Sequence, residues 1–261
     1  MEFKNIIVRM HGSDLYEELY GGYIPFREKQ IQRVTRVYTI SEFGKKYLMR
    51  SYPEYSLKFD LARLGTNDHG LNPWKDRDHL SYTIVSCASI TYTKRVRLIA
   101  EILKFTSLQI RWFHFGDGPE MVQLQDACND LPKNVTCVLS GNVTPDQLFD
   151  FYAQTPIDLF LNVSSSEGVP VSIMEALSFG IPVVATDVGG TGELVNTTNG
   201  ILIPKDFSPS DTGQQLEELL KSKSIQNMRR AARETWEQQS DATKVYPEFI
   251  TKLTAVFRST E

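Results

Sequence analysis

Two glutamates stand eight positions apart in an otherwise small or apolar stretch, SSSEGVPVSIMEALSFGIPVVATDVGG, at residues 164–190. Glu167 lies in a turn of small residues, and Glu175 lies inside a run that predicts a helix over residues 170–180. Both follow a predicted buried strand, and ligands of open parallel sheets bind at the carboxyl ends of the strands. Two acceptors at this separation could hold a molecule rich in neighbouring hydroxyl groups, such as a sugar or a ribose. The alternative is that Glu167 caps the helix and Glu175 is solvated.

The turn between the strand and this helix adds groups that suit a polar or anionic ligand. The first turn of a helix leaves backbone N–H groups unpaired, and Gly168 allows close approach of a ligand. Pro170 has no N–H, so Gly168 and Val169 are the donors that this turn can offer. Lys94 opens another predicted helix, over residues 94–105, where its charge could meet a phosphate, although a solvated helix lysine is the alternative.

From residue 81 onward, β-type runs alternate with helix-type runs. Strands are predicted over residues 81–87, 108–115, 134–140 and 157–163, followed by PVVAT and GILIP; helices are predicted over residues 94–105, 119–130, 144–154 and 170–180. Most strands are nearly continuous apolar runs, which indicates a parallel sheet buried on both faces. The alternation predicts an α/β fold with a doubly wound parallel sheet. Thr144 and Pro145 have the residue types of an N-cap and a first helical position.

The first 75 residues have a different organisation. They predict a strand in NIIVRMHG, a second over residues 33–40, a helix over residues 41–52 capped by Ser41, and a third strand over residues 57–65. Three strands make a thin sheet for an independent domain. Residues 66–78 are polar, contain Gly and Pro, and predict a linker. Its DRD at residues 76–78 could imitate a metal-binding D-x-D, but no strand precedes it, so a solvated linker is expected.

Composition excludes several classes of function. The chain has 261 residues, 28 basic against 32 acidic, and a net charge of -4, so no concentrated basic face points to a nucleic-acid partner. No apolar segment approaches the roughly 20 residues of a membrane span. Three cysteines without a C-x-x-C pair predict a reduced, cytoplasmic protein with no zinc site. The helix over residues 41–52 could touch an anionic membrane surface, although packing against its own sheet is the simpler expectation.

The stretch that carries both glutamates resembles the E-x7-E signature of retaining nucleotide-sugar glycosyltransferases of family 4 (group 1), which have the GT-B fold. FGDGPE at residues 115–120 resembles the G-x-G-P turn of that family, and HGSDLYEE at residues 11–18 resembles its H-G-x-D acceptor loop. SCASITYTKR at residues 86–95 aligns with the family segment that ends in a lysine, here Lys94. The positions shared with the glutamate signature are Ser164, Glu167, Gly168, Pro170, Glu175, Ala176, Gly180, Pro182, Val183, Val184, Ala185, Thr186, Gly189 and Gly190.

The resemblance implies a role for each matching residue. Lys94 would bind the diphosphate of the donor, and Glu175 would hold its ribose hydroxyls. Glu167 would lie against the donor sugar, and His11 would face the transferred sugar from the acceptor side. The implied catalytic residues are His11, Glu167 and Lys94, and the implied donor-binding residues are Lys94, Gly116, Glu167, Gly168, Val169, Pro170 and Glu175. The family often has an arginine beside the diphosphate, and here that position is Ser89. Either Arg95 or Arg97 substitutes for it, or diphosphate binding is weaker.

The resemblance also implies an architecture: a partial acceptor lobe over residues 1–75, a donor lobe over residues 76–240, and a C-terminal helix within residues 241–261 that packs back on the first lobe. The H-G-x-D loop lies near Met1, so we expect that about half of the acceptor lobe is missing.

The implied activity is transfer of a hexose, with retention, from a nucleoside-diphosphate sugar to a saccharide or lipid-linked acceptor in polysaccharide or glycoconjugate biosynthesis. No metal or other cofactor is implied. The location would be cytoplasmic, with a weak peripheral contact at the inner face of the membrane as an addition. A truncated, inactive nucleotide-sugar-binding module is the alternative. A dinucleotide-dependent oxidoreductase is disfavoured because no G-x-G-x-x-G opens the first helix.

Overall fold

The computed structural model describes residues 5–12, 14–75 and 81–258, which build two parallel sheets. The first lobe has three strands in the order β1-β2-β3, with β1 at Ile7–Met10, β2 at Arg36–Thr39 and β3 at Phe59–Leu61. Helix α1 (Arg27–Arg33) connects β1 to β2, and α2 (Glu42–Ser51) follows β2. As predicted, Ser41 caps α2: its hydroxyl accepts a hydrogen bond from the Gly44 N–H.

The second lobe contains a six-stranded parallel sheet in the order β6-β5-β4-β7-β8-β9. Its strands are β4 (Tyr82–Cys87), β5 (Ile110–Phe115), β6 (Val135–Leu139), β7 (Leu159–Asn162), β8 (Val183–Thr186) and β9 (Gly200–Ile203). The helices between them are α3 (Arg97–Leu103), α4 (Met121–Asn129), α5 (Pro145–Gln154), α6 (Val171–Ser178) and α7 (Thr191–Leu194). The chain then continues through α8 (Pro209–Lys221), α9 (Ile225–Gln239) and α10 (Ala242–Arg258). The strand order reverses between β4 and β7, and this reversal creates a crevice at their carboxyl ends.

Side chains of the second sheet alternate between two cores, one on each face. Val85, Phe113 and Phe160 point to the core that α5 and α6 cover, together with Trp236 of α9. The other face is filled by residues such as Ile84 and Trp112 and is covered by α3, α4 and α8. The predicted α/β fold with burial on both faces is thus confirmed, and the capping box at Thr144 forms as its residue types indicate.

Several elements differ from the sequence-based expectation, and α7, α8 and α9 were not predicted at all. The helix expected from residue 94 begins only at Arg97, because residues 91–95 form a turn in which Arg95 adopts a left-handed backbone with φ of 51°. Helix α1 was not predicted, since its sequence REKQIQR carries few apolar residues. The third strand is shortened to Phe59–Leu61 because Pro53–Lys58 forms a 3-10 helix.

The segment that joins the lobes is held by side-chain hydrogen bonds. The Asn72 amide donates to the carbonyls of Tyr152 and Thr155 at 2.6 and 2.8 Å, and its oxygen accepts from the Ile157 N–H. The DRD at residues 76–78 lies outside the residues that the structure describes. Helix α10 contacts the first lobe, where Lys252 donates to the Leu61 carbonyl and Phe249 lies under the Arg9 guanidinium. Over the described ranges, no helix has both the length and the apolar composition that a membrane crossing requires.

Candidate active site

The crevice where the strand order reverses brings Lys94 and Glu167 together. Lys94 comes from the loop after β4, and Glu167 comes from the loop after β7. Lys94 Nζ lies 2.6 Å from Glu167 Oε1, so the two side chains form an ion pair that spans the two loops. The Glu167 side chain is 8% exposed and that of Lys94 is 30% exposed, so the carboxylate lies deeper than the ammonium group. A charge-assisted hydrogen bond of this length fixes the position of a buried carboxylate.

Asn162 completes the support of this carboxylate. Its amide nitrogen donates to Glu167 Oε1 at 3.3 Å, and its oxygen accepts from the Ser164 N–H at 3.0 Å. Asn162 is the last residue of β7 and is buried. Sequence analysis did not select it, although a polar residue at the carboxyl end of an apolar strand is a usable signal.

Arg95 supports the same loop from below. Its Nε donates to the Val163 carbonyl at 2.8 Å, and its Nη2 donates to the Ser164 carbonyl at 3.2 Å. The guanidinium also lies over the Phe207 ring. Burial of the guanidinium is the largest influence on the pKa of Arg95 and lowers it. In this arrangement Arg95 supports the Glu167 loop, and whether Arg95 or Arg97 takes the place of the family arginine stays a prediction.

A cleft of about 500 Å³ lies between the lobes and contains the predicted residues of both. From the first lobe, His11 and Gly12 line it; from the second lobe, Glu167, Gly168 and Val169 line it. The two loops touch through glycines, because a Cβ on Gly12 would lie 2.7 Å from the Gly168 nitrogen. The His11 N–H donates to Asp14 Oδ1 at 2.5 Å, so these two residues of the first lobe are linked. The structure therefore places His11 on the first-lobe side of the cleft, opposite the glutamate turn.

Glu175 lies farther from this pair. It is partly buried in α6, and it is not among the residues that line the 500 Å³ cleft. Its charge adds to the burial that raises the pKa of the Cys87 thiol at the end of β4 and of the Tyr152 hydroxyl on α5. Burial raises the pKa of Glu175 to about 7. The alternative of a fully solvated Glu175 is thus wrong, and its contact with a ligand stays a prediction.

Gly116 has a packing role that does not depend on a ligand. Its φ is 137°, and a Cβ there would lie 2.0 Å from the Ala88 carbonyl oxygen. Its N–H donates to the Gly141 carbonyl at 2.8 Å, so the loops after β4, β5 and β6 meet at this residue. Pro170 is the N-cap of α6, and its carbonyl accepts from the Ile173 N–H at 3.1 Å. Donor contact by Gly116 or Pro170 stays a prediction.

His114 is fully buried in β5. Its Nδ1 lies 2.8 Å from the Ser86 hydroxyl oxygen, which also accepts from Trp112 Nε1 at 2.9 Å. The indole can only donate, so the Ser86 hydroxyl accepts from it, and the direction of the Ser86–His114 hydrogen bond follows the tautomer of the imidazole. Desolvation lowers the pKa of His114 to about 4. His114 is therefore a neutral core residue at neutral pH, adjacent to the loops that meet at Gly116.

Residues 5–12, 14–75 and 81–258 contain no cluster with metal-binding geometry. No group of three or more His, Cys, Asp or Glu side chains there is placed to hold an ion.

Cys128 and Cys137 are free thiols whose sulfur atoms lie 2.6 Å apart. The spacing of these residues in the sequence did not predict this contact.

Comparison with known families finds one match over the second lobe. The sequence model described as "Glycosyl transferases group 1" matches residues 75–237, which is more than half of the chain. Among curated proteins, the O-antigen biosynthesis glycosyltransferase WbnH of Escherichia coli is 29% identical over 147 residues, covering 56% of this chain and 40% of that protein. The GtfA subunit of the UDP-N-acetylglucosamine–peptide N-acetylglucosaminyltransferase of Streptococcus agalactiae is 24% identical over 188 residues, covering 70% and 34%. The chain thus spans less than half the length of these relatives.

Solved structures extend the likeness to the first lobe. HepE of Anabaena, crystallised with UDP, superposes with a TM-score of 0.78 at 16% identity, covering 96% of this chain and 72% of that one. A glycosyltransferase of Rickettsia africae gives a TM-score of 0.76 at 17% identity, covering 96% and 70%. At these identities the likeness concerns the fold, and it confirms a GT-B-like arrangement of the two sheets.

Proposed function

The chain belongs to the group 1 glycosyl transferases, and from that premise we propose that it transfers a hexose from a nucleoside-diphosphate sugar to a saccharide or lipid-linked acceptor, with retention at the anomeric carbon. One relative is an O-antigen biosynthesis glycosyltransferase and another is a subunit of a peptide N-acetylglucosaminyltransferase, which favours polysaccharide or glycoconjugate biosynthesis as the setting. A cytoplasmic location is part of the proposal, and so is a reaction that needs no metal.

One observation carries the proposal: the Lys94–Glu167 ion pair lies at the crevice where the strand order reverses, in contact with the cleft that His11 lines. A cation and a buried carboxylate 2.6 Å apart can bind neighbouring parts of the same activated sugar. The ammonium group suits the diphosphate, and the carboxylate suits the sugar hydroxyls. The N-terminus of α6 lies in the same turn and favours negative charge there.

The proposed step exchanges one bond at the anomeric carbon for another. The bond from that carbon to the diphosphate oxygen breaks, and a bond to the acceptor oxygen forms on the same face. The acceptor proton passes to an oxygen of the leaving diphosphate. Negative charge accumulates on the leaving group, so Lys94 and the α6 N–H groups would stabilise the transition state more than the ground state. His11 would contact the sugar from the first lobe and orient it toward the acceptor.

The second part of the proposal is that Glu175 binds the nucleoside of the donor. Its raised pKa means that a free carboxyl is partly protonated near pH 7. Two ribose hydroxyls that donate to it would favour the ionised form, so binding would draw a proton off this group. The nucleoside would then lie beneath the loops after β4 and β5, beside Cys87 and Gly116.

A panel of UDP-, GDP- and ADP-sugars, screened by calorimetric titration, tests donor binding. The sugar nucleotide that binds is then incubated with saccharide and lipid-linked acceptors, and the anomeric configuration of the product is read by NMR. A product with inverted configuration would refute retention. If no sugar nucleotide binds at millimolar concentration, the proposed function fails.

One further measurement distinguishes a transferase from the alternative, an inactive nucleotide-sugar-binding module. A chain that binds a sugar nucleotide and neither transfers the sugar nor hydrolyses the donor is a binder. Slow hydrolysis without an acceptor indicates a transferase site that lacks its acceptor.

A further inference from the structure

Glu193, in the donor lobe, makes three polar contacts with the first lobe. Its Oε1 accepts from the Phe43 N–H at 2.8 Å, and its Oε2 accepts from the Glu42 N–H at 3.1 Å. Arg63 Nη1 lies 2.7 Å from Oε2. The side chains of Arg63 and Glu193 are 25% and 17% exposed, so this contact is partly shielded from solvent.

These contacts complete the N-terminus of α2 with a residue from another lobe. A helix begins with N–H groups that have no partner within it. In α2, Ser41 accepts from the Gly44 N–H, and Glu193 accepts from the two preceding N–H groups, those of Glu42 and Phe43. A carboxylate at this end is also favoured by the helix dipole. Separation of the lobes would therefore expose two N–H groups and an arginine at once.

Helix α2 supports the loop that carries His11. A Cβ on Gly44 would lie 2.6 Å from Leu15 Cδ2, so α2 packs closely against Leu15, which follows Asp14. The rings of Tyr16 and Phe43 meet edge to face with centroids 5.9 Å apart. The helix end that Glu193 holds is thus the end against which the His11 loop rests.

On the other side, the segment before Glu193 supports the glutamate turn. The Gly190 N–H donates to the Gly168 carbonyl at 2.9 Å. A Cβ on Gly189 would lie 1.8 Å from the Glu167 carbonyl, so this backbone lies directly beneath the turn. Glu193 follows in α7, between the buried residues Thr191 and Leu194.

We propose that Glu193 is a positioning residue that fastens the first lobe to the donor-lobe turn carrying Glu167, and so sets the width of the cleft between His11 and Glu167. It acts through α2 on one side and through the Gly189–Gly190 backbone on the other, without touching the donor. The kinetic part of this inference rests on the proposed function; the structural part does not.

Amide hydrogen exchange tests the structural part without any substrate. In Glu193→Ala, the amides of Glu42 and Phe43 should exchange at least tenfold faster, while the Lys45 amide, which donates to Ser41, should change less than twofold. Small-angle scattering should show a larger radius of gyration. Glu101→Gln is the matched control, because Glu101 pairs with Lys104 inside the donor lobe. Unchanged exchange at Glu42 and Phe43 would overturn the proposal.

Kinetics test the positioning part. Glu193→Ala should lower kcat/KM for the acceptor about tenfold and leave the UDP Kd within twofold, since the donor loops are intact. Arg63→Met, which removes only the ion pair, should give a loss of about threefold in the same direction, and the double variant should lose less than the product of both. An equal loss of UDP affinity in Glu193→Ala would mean a general structural role and overturn the proposal. If the parent chain binds no sugar nucleotide, the proposed function fails, and exchange with scattering still decides the positioning role.

Discussion

The two lobes meet at one cleft but differ in the size of their sheets and hydrophobic cores. The second lobe has six strands and a core on each face of its sheet, with large residues such as Trp112 and Trp236 almost fully buried. The first lobe has three strands and one core, formed around Ile31 and Leu48. Beside β1 lies a cavity of about 1000 Å³, and the buried Arg27 that lines it has an Nε without a hydrogen-bond partner in the described part of the chain. A reaction cleft between a deep lobe and a shallow lobe can keep one wall rigid while the other moves.

The difference assigns a role to each lobe. The donor-side groups, Lys94 and Glu167, are held by loops that rest on the deeper sheet and by Asn162. His11 rests on a short loop against α2, whose first turn depends on Glu193. Regions with few buried apolar contacts open at lower free energy than the core of a protein. Donor binding should therefore survive changes that disturb acceptor binding.

The largest effect is expected from core truncation in each lobe. Ile31→Ala in the first lobe and Ile102→Ala in the second should each cost about 2–5 kcal/mol of unfolding free energy. Trp112 and Trp236 are buried in the cores of the second lobe, and Trp74, although it precedes residue 76, packs against one of these cores. In urea, Ile102→Ala should shift the tryptophan fluorescence transition, while Ile31→Ala should shift circular dichroism and leave fluorescence nearly unchanged. Equal shifts of fluorescence in both variants would show that the lobes unfold as one unit.

The sequence predicted the deeper lobe well, because its elements carry strong local signals. The apolar strands and the Thr144–Pro145 start of α5 specify their structure within a few residues. It missed α1, whose only buried apolar residue is Ile31 and whose N-cap, Phe26, has a left-handed φ of 61°. Nothing in REKQIQR shows the apolar periodicity that identifies a helix.

The site was predictable as a set of residue types but not as a set of contacts. The pairing of Lys94 with Glu167 joins residues 73 positions apart, and the contact of Glu193 with Phe43 joins residues 150 apart. Such distances depend on the strand order and on how the lobes meet, which local patterns do not encode. The turn before α3 illustrates the same limit: the left-handed Arg95 is fixed by its bonds to two distant carbonyls.

The next effect concerns the donor wall of the cleft. Lys94→Ala should lower the rate of transfer about 10²–10³-fold, as expected when one group that stabilises a developing anion is removed. Affinity for UDP should fall more than affinity for uridine, and calorimetric titration of both ligands measures the difference. Lys104→Ala is the control, because Lys104 pairs with Glu101 on α3, away from the cleft. If uridine and UDP lose affinity equally, Lys94 does not bind the diphosphate.

A smaller effect should appear at Glu175, which tests the deeper part of the donor wall. Its pKa of about 7 in the free protein means that sugar-nucleotide affinity should fall as pH drops below 7, by at most tenfold per pH unit. The sign follows because the ribose hydroxyls favour the ionised carboxylate. Glu175→Gln should weaken binding about tenfold at pH 8, the value of a hydrogen bond to a charged group, and should flatten the pH profile. A sugar nucleotide is the ligand of choice because its diphosphate does not titrate between pH 6 and 8. A wild-type profile that stays flat from pH 8 to 6 would remove Glu175 from the nucleoside site.

The smallest effect is expected from His114, whose protonation should make stability depend on pH. It tests how well the larger core of the second lobe excludes water. The pKa of His114 is lowered from 6.5 to about 4 by burial, so the unfolded chain binds a proton in this range that the folded chain does not. Stability should therefore be full above pH 6.5 and should fall toward pH 4, by at most about 1.4 kcal/mol per pH unit from this group. His114→Gln removes the titrating group, so its urea midpoint, followed by tryptophan fluorescence, should depend less on pH between 6.5 and 4 than that of the parent. Both proteins should show the same dependence between pH 7 and 8, where neither form of His114 takes up a proton. Parallel curves below pH 6.5 would mean that acid destabilises the deeper lobe through other groups, and that the Ser86–His114 contact is not sealed from water as its burial indicates.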